Sequence, residues 1–130
     1  RAAGCVLGYG VGIDFTRRDL QAEAKQMRRP WDMAKGFDNS AVLGRLHRGV
    51  DLAGDRSIRC RVDDVLRQDA PLSAMIWPVE EIIAHVSRLL TLQPGDLILT
   101  GTPAGVGPLA RGQTCTVEID GFDPATVTLA

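Results

Sequence analysis

The chain has 130 residues, with 15 Lys and Arg against 16 Asp and Glu, a net charge of −1, and 45% apolar residues. That length makes one domain or most of one, and the balanced charge does not suggest a basic surface for nucleic acid. No apolar run approaches the roughly 18 residues of a membrane span, and no signal peptide is visible, so no membrane partner is expected. Cys5, Cys60 and Cys115 are odd in number and widely spaced, with no C-x-x-C, which argues against a zinc cluster or a disulfide scaffold. They read as small buried hydrophobes of a reducing cytoplasm.

Residues 5 to 13 are expected to form a buried strand, with Val11 and Ile13 alternating with Gly10 and Gly12. A helix follows over residues 16 to 28. Thr16 and Asp19 form a capping-box-like start, Leu20, Ala24 and Met27 recur at helical spacing, and Pro30 stops the run. The basic excess from Arg17 to Arg29 reads as a solvated helix face. Residues 30 to 56 are expected to be mostly loop, pinned to the core by Trp31 and Phe37, with a short strand at Ser40 to Gly44. The stretch from Arg48 to Arg56 is the nearest thing to a linker. Ile58 to Val62 alternates apolar and charged residues, Asp63-Asp64 turns, and Val65 to Gln68 returns as the hairpin partner.

Pro78 marks a second helix, whose stripe is Val79, Ile82, Ile83, Val86, Leu89 and Leu90. Glu80 and Glu81 in its first turn and Arg88 in its last suit the helix dipole. Pro94-Gly95 ends it, and Asp96 to Thr100 reads as a short strand covered on both faces. After the loop Gly101 to Pro108, Cys115, Val117 and Ile119 alternate with Thr114, Thr116 and Glu118, and Ala125 to Leu129 makes the last strand. Many strands with two helices define a β-rich α+β domain.

The chemistry concentrates where the first strand meets the first helix. Asp14 sits there, with Arg18 and Gln21 in the first helical turns and Lys35 in the following turn, all within expected reach of one another. Two readings of Asp14 stand side by side. It is a helix-terminal carboxylate paired with Arg18, or it is a ligand for a hard cation, which takes oxygen donors and keeps several waters. Gly101 to Gly107 is no phosphate cradle, since it lacks the Lys and the spacing of one. It reads either as a plain turn or as a backbone-and-hydroxyl anion site. His47 and His85 are weak candidates, and His85 is expected to be a half-buried structural residue.

The run G-I-D-F-T-R-R-D-L-Q, with A-K-G-F-D at Ala34 to Asp38 and L-T-G-T-P-A-G-V-G at Leu99 to Gly107, resembles the fumarylacetoacetate hydrolase superfamily. Within it, the chain looks most like the small bacterial acylpyruvate and fumarylpyruvate hydrolases. The likeness runs from about Cys5 to near the end. It implies a multilayered β-roll that usually dimerises, with Leu72 to Trp77 part of such a contact. It also implies further sequence ahead of Arg1, carrying a Glu-x-Glu pair of metal ligands and a flexible segment with the catalytic His–Glu pair. Residues 1–130 are therefore expected to be the C-terminal portion of a longer catalytic domain.

By the same resemblance Asp14 becomes a metal carboxylate for Mg2+ or Mn2+, and Lys35 a catalytic ammonium in the metal pocket. Arg18 and Gln21 orient substrate, while Gly101 and Thr102 meet its carboxylate. The implied activity is metal-dependent hydrolysis of a carbon–carbon bond in acylpyruvates such as fumarylpyruvate, in aromatic-compound catabolism. The implied partners are a small 2-oxo acid and a second copy of the chain. Decarboxylation or keto–enol tautomerisation of oxaloacetate would use the same groups. A non-catalytic β-rich interaction domain that keeps the scaffold is the alternative from another class.

Overall fold

Clean alternation produces the largest sheet. In the computed structural model, which describes residues 2–52 and 54–130, Ser57–Val62 (β5) pairs with Val65–Pro71 (β6) on one edge and Thr114–Ile119 (β7) on the other. Ala125–Thr128 (β8) adds to β7, giving an antiparallel order β6-β5-β7-β8. The expected Asp63-Asp64 hairpin forms. Both residues have positive φ, 47° and 66°, as a tight two-residue turn of primed type demands. Asparagine and glycine tolerate that backbone better, but here Asp63 is tied down by its own side chain. Its carboxylate accepts from Thr114 N and Gln113 Nε2, each at 2.9 Å.

Alternation sends Cys60, Val62, Cys115, Val117 and Ala125 inward. Cys60 faces Val117 and Val62 faces Cys115 across the ladder, so the apolar residues of β5 and β7 share one face. Val11 and Ile13 complete the core, with Phe15, Val42, Ile58, Leu109 and Phe122 packed around it. The opposite face carries charge. Arg59 reaches Asp120 at 2.8 Å and Asp69 at 3.5 Å.

The expected strand over residues 5 to 13 breaks in two: Gly8–Tyr9 (β1) and Gly12–Asp14 (β2), after a 3-10 turn at Ala3–Cys5. Ala41–Leu43 (β3) pairs with β2, and His47–Arg48 (β4) pairs with β1. A Cβ at Gly8 would overlap the His47 carbonyl oxygen, so glycine permits the close approach of β1 to β4. Cys5 is exposed within the 3-10 turn, against the expectation that all three cysteines are buried.

The first helix, α1, spans Arg18–Gln26. Its N-cap is Arg17 with no side-chain cap, so the expected Thr16–Asp19 box does not form. The helix closes on Arg28, whose φ is 54°, with Arg29 N donating to Ala24 O at 2.8 Å. Within the expected loop, Asp32–Lys35 makes a one-turn helix, α2. Ala34 is buried, and its carbonyl accepts from Arg17 N at 3.0 Å. Trp31 and Phe37 do not reach the core. Trp31 lies under Lys25 and Phe37 under Arg17, at 4.9 and 4.5 Å, so cation–π contacts hold the loop against α1 instead.

The last helix, α3, covers Val79–Val86, shorter than the stripe to Leu92 suggested. None of its residues is fully buried, and Leu89 beyond it is 74% exposed. A stripe with little apolar surface to cover it stops holding the helix together. His85 is exposed and meets Trp77 edge-on at 5.2 Å, not half-buried as expected. Asp96 to Thr100 forms no strand, and Leu97 is 64% exposed. Among the described residues it joins no ladder, although Leu99 packs against β2 through its side chain.

A candidate active site at the strand-to-helix junction

β2 delivers Asp14 to the rim of the domain, and α2 brings Lys35 to it. Lys35 Nζ donates to Asp14 Oδ2 at 2.6 Å and to Thr16 Oγ1 at 2.9 Å. Phe15 N donates to Ser40 O at 2.7 Å and Arg17 N to Ala34 O, so the backbone on both sides of Thr16 is held. The missing capping box has its explanation here. The Thr16 hydroxyl serves the Lys35 ammonium and leaves the helix N-terminus to Arg17.

Asp14 Oδ1 accepts no hydrogen bond among the described residues. A carboxylate with one oxygen fixed by an ammonium and the other open fits a hard divalent cation such as Mg2+ or Mn2+. Among the described residues, no three His, Cys, Asp or Glu side chains gather as a metal cluster.

Arg18 and Gln21 turn toward each other. Arg18 Nη1 donates to Gln21 Oε1 at 3.0 Å, a neighbouring pair one turn apart on α1. The Arg18–Asp14 pair offered by one of the two readings of Asp14 does not form, and Asp14 pairs with Lys35 instead. Gln21 is the buried polar side chain of the core side of α1, and Arg18 satisfies its carbonyl.

The Gly101–Gly107 loop starts beside the same strand. A Cβ at Gly12 would come within 3.1 Å of Leu99 Cδ2, so Leu99 lies over β2 just before Asp14. Gly101 has φ 105°, open to glycine and closed to most side chains. Thr102 Oγ1 accepts from Gln68 Nε2 at 2.8 Å, and the same nitrogen donates to Pro103 O at 2.8 Å. Sequence reasoning missed Gln68 and the role of Thr16. Gln68 sits 34 positions from Thr102, and nothing local in the sequence signals that pairing.

His47 and the cysteines stand apart from this junction. His47 meets Phe122 edge-on at 5.1 Å and lies 3.5 Å from Asp123 Oδ2. Cys60 and Cys115 bring their sulfurs to 3.6 Å inside the core. Burial and the neighbouring Cys60 push the Cys115 thiol up to about 12, so it stays protonated.

The lysine-clamped aspartate thus ends a short strand of a β-rich domain, and Leu99, just ahead of the Gly-Thr-Pro loop, packs over that strand. The chain belongs to the fumarylacetoacetate (FAA) hydrolase family, whose C-terminal pattern matches residues 1–130. It is 39% identical over 127 residues to the oxaloacetate tautomerase YcgM of Escherichia coli, covering 95% of this chain and 58% of that one. It is 37% identical over 126 residues to the fumarylpyruvate hydrolase of a Ralstonia species, covering 95% and 65%. Its fold overlays the Pseudomonas aeruginosa fumarylpyruvate hydrolase solved with Mn2+ and pyruvate, with TM-score 0.94 and 41% identity. That match covers 99% of this chain and 56% of the other. The chain spans about half the length of the curated relatives it matches. None of its helices, among the described residues, is long and apolar enough to cross a membrane.

Proposed function

We propose that the chain is the substrate- and metal-holding portion of an acylpyruvate hydrolase, one that cleaves fumarylpyruvate-like substrates into pyruvate and a carboxylic acid. The observation that carries this reading is the Lys35 ammonium clamped between Asp14 Oδ2 and Thr16 Oγ1. A divalent ion, Mg2+ or Mn2+, held in part by Asp14 Oδ1 would act as a Lewis acid toward the substrate's oxygens. The Pseudomonas relative's complex with Mn2+ and pyruvate supports a divalent ion, Mn2+ in that case, together with a small 2-oxo acid.

This chain's own side chains then divide the remaining work. Lys35 holds the Asp14 carboxylate in one orientation. Its fixed positive charge also favours the negative charge that builds on the departing pyruvate oxygen. Gly101 and Thr102 receive the substrate carboxylate through a backbone N–H and a hydroxyl. Arg18 keeps N–H groups beyond the one given to Gln21, and a guanidinium fork suits a second carboxylate such as that of a fumaryl group. Gln21 fixes the direction of Arg18. On this reading the base that activates water and the other metal ligands are supplied from outside these 130 residues, since among the described residues no cluster of three metal-ligating side chains forms. The chain alone is therefore expected to bind metal weakly and to show no turnover.

A second reading is supported to a similar degree. The E. coli relative is an oxaloacetate tautomerase, and moving a proton next to an oxo acid asks for the same clamp and carboxylate site. Assaying the full-length gene product on fumarylpyruvate and on oxaloacetate separates the two. Pyruvate release from fumarylpyruvate supports hydrolysis, enol–keto exchange of oxaloacetate without carbon loss supports the tautomerase, and neither activity sinks both. A homodimer belongs to the same proposal. Ile76 is 94% exposed beside a half-exposed Trp77, an apolar pair suited to a second copy. Sedimentation of the full-length protein tests it, and a monomer at micromolar concentration removes it.

A further inference from the structure

The Gly101–Gly107 loop is gripped by one strand, β6, at two points. Gln68 Nε2 lies 2.8 Å from the Pro103 carbonyl oxygen and 2.8 Å from Thr102 Oγ1. A carbonyl oxygen only accepts, so the atom facing it is the amide nitrogen of Gln68 and not its oxygen. That nitrogen's second hydrogen goes to Thr102 Oγ1, which therefore accepts. One residue earlier, the Arg67 carbonyl oxygen occupies the space that a Cβ at Gly105 would need.

A threonine hydroxyl has one hydrogen to give and lone pairs to receive with. With a lone pair engaged by Gln68, the hydrogen of Thr102 is left for a different partner. None of the described residues accepts it, and Thr102 is exposed. We propose that Gln68 is a positioning residue that turns the Thr102 hydroxyl outward, hydrogen first, to meet the carboxylate of a 2-oxo acid. An O–H donated to a carboxylate is stronger than one donated to a neutral group, so fixing its direction tells in affinity. The inference rests on the reading of Thr102 as a substrate-binding residue.

The test is a double-mutant cycle on the full-length, Mn2+-loaded protein, with pyruvate binding read by calorimetry and folding read by thermal melting. Thr102→Ala is expected to weaken pyruvate binding by about tenfold, the loss of one charge-assisted hydrogen bond. Gln68→Leu is expected to weaken it by about three- to tenfold, and the double variant to bind no worse than Thr102→Ala alone. Gln68→Glu keeps the shape but accepts the threonine hydrogen, so it is expected to bind at least as poorly as Gln68→Leu. It also decides the matter if Gln68→Leu does not fold.

Losses from Gln68→Leu and Thr102→Ala that add in full would show that Gln68 acts by some other route. Both Gln68 variants binding like the parent would do the same. Either result removes the positioning role and leaves Thr102 in the site. Unchanged affinity in Thr102→Ala removes the anion-site reading itself, and the Gln68 proposal with it.

Discussion

Lys35 Nζ sits 2.6 Å from Asp14 Oδ2, joining residues 21 positions apart at the end of one short strand. The pair is about two-fifths exposed, with side-chain accessibilities of 36% and 42%. Water screens such a pair, so its worth to folding is under about 1 kcal/mol. Its value is geometric, since Thr16 at 2.9 Å gives the ammonium a second fixed acceptor.

Lys35→Met should separate these roles. Turnover of the full-length protein is expected to fall about 100-fold or more, as when a positioned charge stabiliser is removed. The melting temperature is expected to move by only a few degrees. Lys35→Arg should not restore activity, because the bulkier planar guanidinium spreads its charge and cannot place a compact cation where the Lys35 ammonium sits. Unchanged kcat/KM in Lys35→Met would end the assignment of Lys35 as catalytic.

Asp14→Asn should weaken Mn2+ binding by the full-length protein by about tenfold or more, read from the free-ion paramagnetic signal. The amide keeps the shape and removes the charge. Metal binding that survives the change intact would favour a scaffold retained for interaction over an enzyme.

Asp120 gives a pH dependence away from the site. Its Oδ1 accepts from Arg59 Nη1 and its Oδ2 from Ser57 N, each at 2.8 Å. The Arg59 hydrogen bond, then the Ser57 amide, hold this carboxyl below its ordinary value of 3.8. A lowered folded-state pKa means stability present above that value and lost as the pH falls through the folded one. Asp120→Asn is expected to flatten the acid limb of the stability curve below about pH 4. A limb of unchanged slope would assign acid unfolding to other groups.

The thiols should divide by burial. Cys5 is exposed, whereas Cys60 and Cys115 are buried. Alkylation at pH 8 is expected to label Cys5 in the folded chain and the other two only on unfolding. Cys115, raised by burial from 9.0 to about 12, adds an alkaline dependence. Its contribution is whole below the unfolded value and lost as the pH climbs between those two numbers. Mass spectrometry of the labelled peptides reads the first effect, and early labelling of Cys115 would contradict the buried core.

Gly105→Ala tests the grip of β6 on the loop. Its φ is 100° and its missing Cβ would overlap the Arg67 carbonyl oxygen. A side chain there is expected to cost on the order of 2 kcal/mol and to loosen pyruvate binding as the loop shifts. An unchanged melt and unchanged affinity would mean that the loop is not seated as described.

The sequence by itself determined the pieces whose cause is short-range. Alternation at Ile58 to Val62 and at Cys115 to Ile119 is a two-residue period, and it predicted both strands and their buried face. Thr16 to Pro30 carried a helical period and a stop, and α1 lies within those bounds. Asp14 and Lys35 were legible as a pair of functional types in a recognisable motif.

Only the tertiary structure decided which groups meet. Arg18 turned to Gln21 and left Asp14 to Lys35, and Thr16 gave up its cap to the same ammonium. Trp31 and Phe37 found cations in place of the core. Asp96 to Thr100 had a strand's composition and yet joined no sheet. Gln68 reached Thr102 across 34 positions. A hydrogen bond depends on distance and direction, and for residues far apart in the chain these are set by the returning path of the backbone, which no local pattern encodes.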